Sequence, residues 1–185
     1  NIFFYPAQFW AHKNHRYIVD FLRLMKKNNN KSYKVVCSGA NKSNKNYIDK
    51  IIKENNLTED FIVFNYLSND EVIQLYKNSF GLIMPTYVAR STLPLYESFF
   101  FQKPVFYSND ILDKNLYQFV IGFDSYDPSD LVNKLKSVEN GKIDLHKITK
   151  SAFEYYKSTC SDEVFINNYK KMIVEYEYLR KRWEN

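Results

Sequence analysis

The chain has 185 residues, of which 45% are hydrophobic, 25% charged and 18% aromatic, and it carries a formal net charge of +5. Four glycines and five prolines exclude collagen-like and linker-like composition, and 16 Tyr with 15 Phe exclude a solvated disordered tail. One globular domain of this length buries about 70% of the surface its unfolded form exposes, so it needs no disulfide staples.

The elements alternate short β-branched or aromatic runs with amphipathic stretches, the pattern of a βαβ series with a parallel sheet covered on both faces. Ile2–Tyr5 reads as the first strand, and His15–Lys27 as a helix with Ile18, Phe21, Leu22 and Met25 at helical spacing, broken by Asn28-Asn29-Asn30. A second strand, Tyr33–Cys37, ends at a Ser38-Gly39 turn, and a helix follows over Asn46–Asn56. Phe61–Phe64 reads as a buried strand. Ser68 then stands three residues before Glu71, a capping box that starts a helix through Val72, Leu75 and Tyr76. Phe80–Met84 is the fourth strand, closed by Pro85, and the next helix begins near Leu93 with Pro94 as its first residue. Pro104–Tyr107 and Phe119–Ile121 are the last strands. Asp127-Pro128 opens a helix through Leu135, and helices over Asp144–Lys157 and Asp162–Arg182 close the chain.

Charge is unevenly placed: residues 1–55 hold 11 Lys/Arg against 3 Asp/Glu, and residues 97–130 hold 2 against 6. The basic end suits an anion. Its lysines fall on solvated helix faces and loops rather than along one stripe, so no nucleic-acid partner is expected. No run approaches the ~18 apolar residues of a spanning helix, and Asn1–Trp10 lacks the basic start and cleavage site of a signal peptide. A soluble, unprocessed, cytoplasmic chain is expected. Its opening at Asn1, directly into a strand, reads as a piece of a longer protein. Cys37 and Cys160 lie far apart without metal spacing and are expected to be reduced thiols in core or semi-buried positions.

An open parallel sheet binds its ligand at the carboxyl ends of its strands, near a switch in strand order. Isolated glycines exclude the G-x-G-x-x-G and P-loop cradles. H-x-x-x-H, C-x-x-C and G-x-S-x-G are also absent, which disfavours a zinc site and the common hydrolase elbow. Two strand-end loops remain, Tyr5–His15 and Pro85–Glu97.

Together these loops resemble the nucleotide-sugar-binding C-terminal half of a GT-B glycosyltransferase of the retaining family 4, or group 1. The resemblance rests on Pro6-Ala7-Gln8-Phe9-Trp10 with His12-Lys13-Asn14-His15 and on the Pro85-Thr86 segment. Leu93-Pro94 followed by Glu97, the Gly39 turn, Phe64–Glu71 and Lys103-Pro104-Val105 complete it. It covers nearly the whole chain and implies a Rossmann-like α/β fold, a retaining reaction without metal or other cofactor, and a nucleotide diphosphate sugar as donor. The acceptor, a glycan or lipid-linked sugar, would sit on an amino-terminal domain outside these residues.

Carried over by position, Lys13 contacts the donor diphosphate and Glu97 the ribose hydroxyls, the two residues to which the chemistry is assigned. A flexible ammonium at a strand end suits a leaving pyrophosphate. Glu97, placed in the first helical turn, would equally suit the helix dipole. Ser91, Thr92 and Leu93 lie at the amino end of the same helix, where free N–H groups can hold a phosphate. Tyr66 falls where the family cradles the base, and core filling is its alternative role. Gln8 stands where the family has Arg, and Ala89 where it has the first Glu of an E-x7-E pair. Arg90 could then meet a phosphate or an acidic sugar.

Three further features carry expectations. His12 and His15 invite an acid–base role, but the resemblance puts acceptor-side catalysis on the other domain. Phe99-Phe100-Phe101 reads as core. The last helix resembles the family's closing helices, which pack back toward the first domain, and Arg180-Lys181-Arg182 could touch anionic lipid. Two other readings stay open: a silent module that kept the fold and lost the site, and a GT-B nucleotide-sugar epimerase.

Overall fold

The structure, a computed structural model, describes residues 1–28, 33–88 and 93–183. Six strands form one parallel sheet: β1 (Ile2–Pro6), β2 (Lys34–Ser38), β3 (Phe61–Phe64), β4 (Gly81–Met84), β5 (Val105–Ser108) and β6 (Ile121–Phe123). Their order is β3-β2-β1-β4-β5-β6, with every neighbouring pair parallel. The chain leaves β1 toward one edge and returns after β3 to build toward the other. The switch in strand order therefore lies between β1 and β4.

The helices are α1 (His15–Lys27), α2 (Lys45–Glu54), α3 (Asn69–Asn78), α4 (Leu93–Phe100), α5 (Pro128–Glu139), α6 (Leu145–Cys160) and α7 (Asp162–Trp183). Contacts divide them into two layers, α1 with α2 and α5, and α4 with α6. Alternation along β1 feeds both layers. Phe3 is ringed edge-on by Phe21, Phe80 and Phe106 and stacked on Tyr33, whereas Phe4 meets Tyr76 of α3 edge-on at 5.0 Å. Each such fully buried ring contributes about 1.5–3 kcal/mol relative to exposure.

Local signals explain most of the boundaries. Ser68 accepts from Glu71 N–H and Glu71 accepts from Ser68 N–H, so the capping box starts α3. Asp127 accepts from Ser129 N–H and Asp144 from Lys147 N–H, starting α5 and α6.

Four expectations are corrected. β3 is the sheet edge and only Phe61 of it is buried, because one side has no neighbouring strand. The last strand is Ile121–Phe123, and Phe119 instead ends a 3-10 segment at Lys114–Phe119. Of the Phe run, Phe99 is core and Phe101 partly buried against it, while Phe100 is half exposed beside Phe101 and Tyr156. Cys37 is buried as expected, but Cys160 is exposed at the end of α6. The expected break at Asn29-Asn30 lies outside the described residues.

Candidate functional site

The loop that follows β1 is fixed at both ends. Phe9, fully buried, bridges to Asn41 of the loop after β2, with its N–H donating to Ala40 C=O at 3.0 Å. Gly39 lies so close beneath it that a Cβ there would come within 2.3 Å of the Ala7 carbonyl oxygen, so the two loops can pack this way only over a glycine. Farther along, His12 C=O accepts from Tyr87 N–H at 2.9 Å and from Thr86 Oγ1 at 3.0 Å, which joins this loop to the one after β4.

Asn14 ties in a third loop. It is buried, takes the left-handed conformation (φ 52°, ψ 43°) immediately before α1, and donates from Nδ2 to Pro85 C=O and Ser125 C=O, each at 3.0 Å. Asparagine tolerates this backbone better than most residues. One side chain thereby fastens the carboxyl ends of β1, β4 and β6 together. Reading the sequence did not single it out.

Between the β1 and β4 loops, at the switch in strand order, lies a cleft of about 720 Å³. One wall is Tyr5, Gln8, Trp10, His12 and Lys13; the other is Met84, Val88 and Pro94. Tyr5 donates its hydroxyl to Lys13 C=O at 2.8 Å, which sets the backbone from which the ammonium projects. Lys13 is half-buried, and burial lowers its pKa below the ordinary lysine value. A desolvated ammonium attracts an anion more strongly than a solvated one. Gln8 Oε1 accepts from Trp10 Nε1 at 3.0 Å, which orients the side-chain amide and its two N–H hydrogens.

His15 is not placed for acid–base work. It is fully buried against Phe9, with ring centroids 4.2 Å apart, and neither ring nitrogen has a hydrogen-bond partner among the described residues. Burial pushes its pKa down to about 3 against an opposing pull from the nearby Ala7 backbone, with the charge of Lys13 adding a smaller contribution in the same direction as burial, so the imidazole is neutral at physiological pH.

The other expected site residues lie elsewhere. Glu97 sits in the second turn of α4 rather than the first, because the helix begins at Leu93 with Pro94 as its second residue. Its Oε2 accepts from the hydroxyl of buried Tyr76 at 2.7 Å. That hydroxyl's pKa is raised by burial and by Glu97, so Tyr76 stays the donor. Glu97 and Leu93 line a smaller hollow of about 310 Å³ with Tyr96, Phe100, Tyr156 and Cys160. Tyr66 is 85% exposed, which corrects its alternative role as core filler. Ala89, Arg90, Ser91 and Thr92 lie outside the described residues. The structure thus brings Gln8 and Lys13 together and places Glu97, Leu93 and Tyr66 away from that pair's cleft lining. Sequence reading missed Tyr76 as the anchor of Glu97, for which helical spacing offered only an apolar position.

The fold is a Rossmann-like α/β domain with its cleft at the switch point. The chain belongs to the group 1 glycosyl transferases, whose family model matches residues 1–155. Among curated proteins, none matches the sequence. Solved structures with the same fold include a sucrose-phosphate synthase from Thermosynechococcus elongatus (TM-score 0.81, 13% identity, 96% of this chain and 46% of that one). A glycosyltransferase from Rickettsia africae is similar (TM-score 0.80, 17% identity, 94% and 47%). So is the Anabaena protein Alr3699/HepE in complex with UDP and glucose (TM-score 0.77, 11% identity, 94% and 48%). The chain spans about half the length of each of these structures. Among the described residues, no helix is long and apolar enough to cross a membrane.

Proposed function

We propose that this chain is the donor-binding half of a retaining glycosyltransferase that moves a sugar from a nucleotide diphosphate sugar to a glycan or lipid-linked acceptor in surface polysaccharide synthesis. The observation that carries the reading is the cleft at the β1/β4 switch point, which gathers Gln8 and a half-buried Lys13 on one pinned loop. As the bond from the anomeric carbon to the diphosphate breaks, negative charge grows on the leaving oxygen. Lys13 would meet that charge, aided by amide hydrogens from Gln8 and by the amino end of α4 with Arg90, Ser91, Thr92 and Leu93. In this reading the cation and the helix dipole perform the task a bound metal performs in other transferases, so the reaction needs no metal or other cofactor. Glu97, held by Tyr76, would take the ribose hydroxyls, and Tyr66 would lie against the base.

The acceptor would bind an amino-terminal domain across the cleft, onto which α7 would pack, in a cytoplasmic enzyme that touches the inner face of the membrane. Alone, these residues would bind nucleotide without turnover. A second reading, a binding module that has lost turnover, is favoured by Gln8 and Ala89, which are uncharged where the family carries Arg and Glu.

Calorimetric and thermal-shift titration with UDP, GDP, ADP and CMP tests the reading. One nucleotide should saturate and, at about 100 times its dissociation constant, stabilise the fold by about 2.7 kcal/mol. Lys13→Ala and Glu97→Ala should each weaken it. No binding by folded protein would refute the donor-site assignment, and binding without transfer by the intact enzyme would favour the silent module.

A further inference from the structure

Trp10 is 43% exposed in the cleft wall, yet it is not loose. Its indole Nε1–H donates to Gln8 Oε1 at 3.0 Å and its backbone N–H to Gln8 C=O at 2.8 Å, while its own carbonyl accepts from Lys13 N–H at 3.0 Å. The ammonium of Lys42 lies 5.8 Å from the ring centroid, and the His12 ring, another cleft residue, runs nearly parallel to it at 21° and 6.3 Å. The chain's other tryptophan, Trp183, is 82% exposed at the end of α7, with none of the cleft around it.

With the N–H group already paired, what the ring offers a ligand is the part of its π-face that Lys42 and His12 leave uncovered. That face is electron-rich and favours polarised C–H groups as well as cations. The ligand class that presents a flat array of such C–H groups together with rim hydroxyls is a pyranose ring. A platform fixed in orientation before binding gives up little entropy when the ring docks.

We propose that Trp10 is a stacking platform for a pyranose ring, oriented by Gln8 and set beside Lys13. The inference rests on the donor-binding function proposed above. The pyranose is either the glycosyl group of the donor or a sugar of the acceptor, and both share this chemistry.

The test uses a Trp183→Phe background, in which Trp10 is the only tryptophan. Its emission is followed during titration with UDP against UDP-glucose, GDP against GDP-mannose, ADP against ADP-glucose, and methyl glucoside or methyl mannoside alone. One sugar nucleotide should shift the emission to the blue where its parent nucleotide does not. Trp10→Ala should lower the affinity ratio of that sugar nucleotide to its parent by about tenfold, with Trp10→Phe retaining most of it. A shift with the methyl glycosides, and none added by the sugar nucleotide over its parent, would support the platform and assign it to the acceptor. Nucleotide binding without any sugar-dependent change in emission, and with the ratio unchanged in Trp10→Ala, would overturn the platform and leave the proposed function standing. No nucleotide binding and no response to the glycosides would overturn both.

Discussion

The β1 loop and α7 are built on opposite terms. The loop of residues 7–14 makes almost no regular secondary structure, yet Phe9 and Asn14 are buried and its backbone is bonded to the loops after β2 and β4. α7 is a 22-residue regular helix with none of its residues buried. Six of its apolar residues, Phe165, Tyr169, Met172, Tyr176, Leu179 and Trp183, are spaced alternately four and three apart, the repeat with which one helix seats on another. Regular structure and tertiary fixation are thus separate properties. The irregular loop is determined by this chain, and the helix carries a surface that this chain leaves exposed.

Substitutions should expose that contrast in order of size. Asn14→Ala should cost about 4 kcal/mol in urea unfolding, since two buried carbonyls lose their donor and alanine must hold a left-handed backbone. Asn14→Gly relieves the backbone alone and should recover about 1 kcal/mol; equal losses would mean that conformation plays no part. Gly39→Ala should cost about 3 kcal/mol, because the new Cβ would meet Ala7 main chain that cannot swing aside.

His15 supplies a test through pH. Its native pKa of about 3 lies below the unfolded value near 6.5. Between these values the unfolded chain binds a proton that the native protein does not, so stability is full above pH 6.5 and falls as pH drops toward 3. The loss from pH 7 to 5 should be about 2 kcal/mol. Thermal melts of His15→Phe, which keeps a ring against Phe9, should show a correspondingly flatter profile; an unchanged slope would place the proton uptake elsewhere. The smallest effect belongs to α7, where Met172→Ser combined with Tyr176→Ser should alter the unfolding free energy of this chain by less than about 0.5 kcal/mol. A loss of several kcal/mol would show that α7 helps hold the sheet together.

The same division explains how much could be read from the sequence. The strand and helix alternation was legible because it is local: Ser68 with Glu71 marks a helix start within four residues, and His15–Lys27 shows its buried face by spacing. Gln8 and Lys13 could be paired because they share one loop. The half-exposure of β3 was not legible, since an edge is a property of strand order rather than of Phe61–Phe64 themselves. Nor was Asn14, whose acceptors lie 71 and 111 residues away. Glu97 was recognised by its neighbours in sequence, but its bond to Tyr76, 21 residues earlier, depends on how α3 and α4 pack.

Strand order also sets a timetable for synthesis. β1 can pair with β2 soon after Ser38 is made, but its other edge waits for β4, whose residues Gly81 and Leu82 stand opposite Phe3 and Phe4. At ribosomal rates of roughly 5–20 residues per second, the interval from Tyr5 to Met84 lasts about 4–16 s. Throughout it, three consecutive aromatic residues sit on an open strand edge, the kind of surface that pairs with other chains. β4 closes that edge and brings Met84, the first residue of the second cleft wall, whereas Val88, Pro94 and the Ser125 carbonyl that holds Asn14 follow later, so the nascent chain is protected from aggregation before its site is complete.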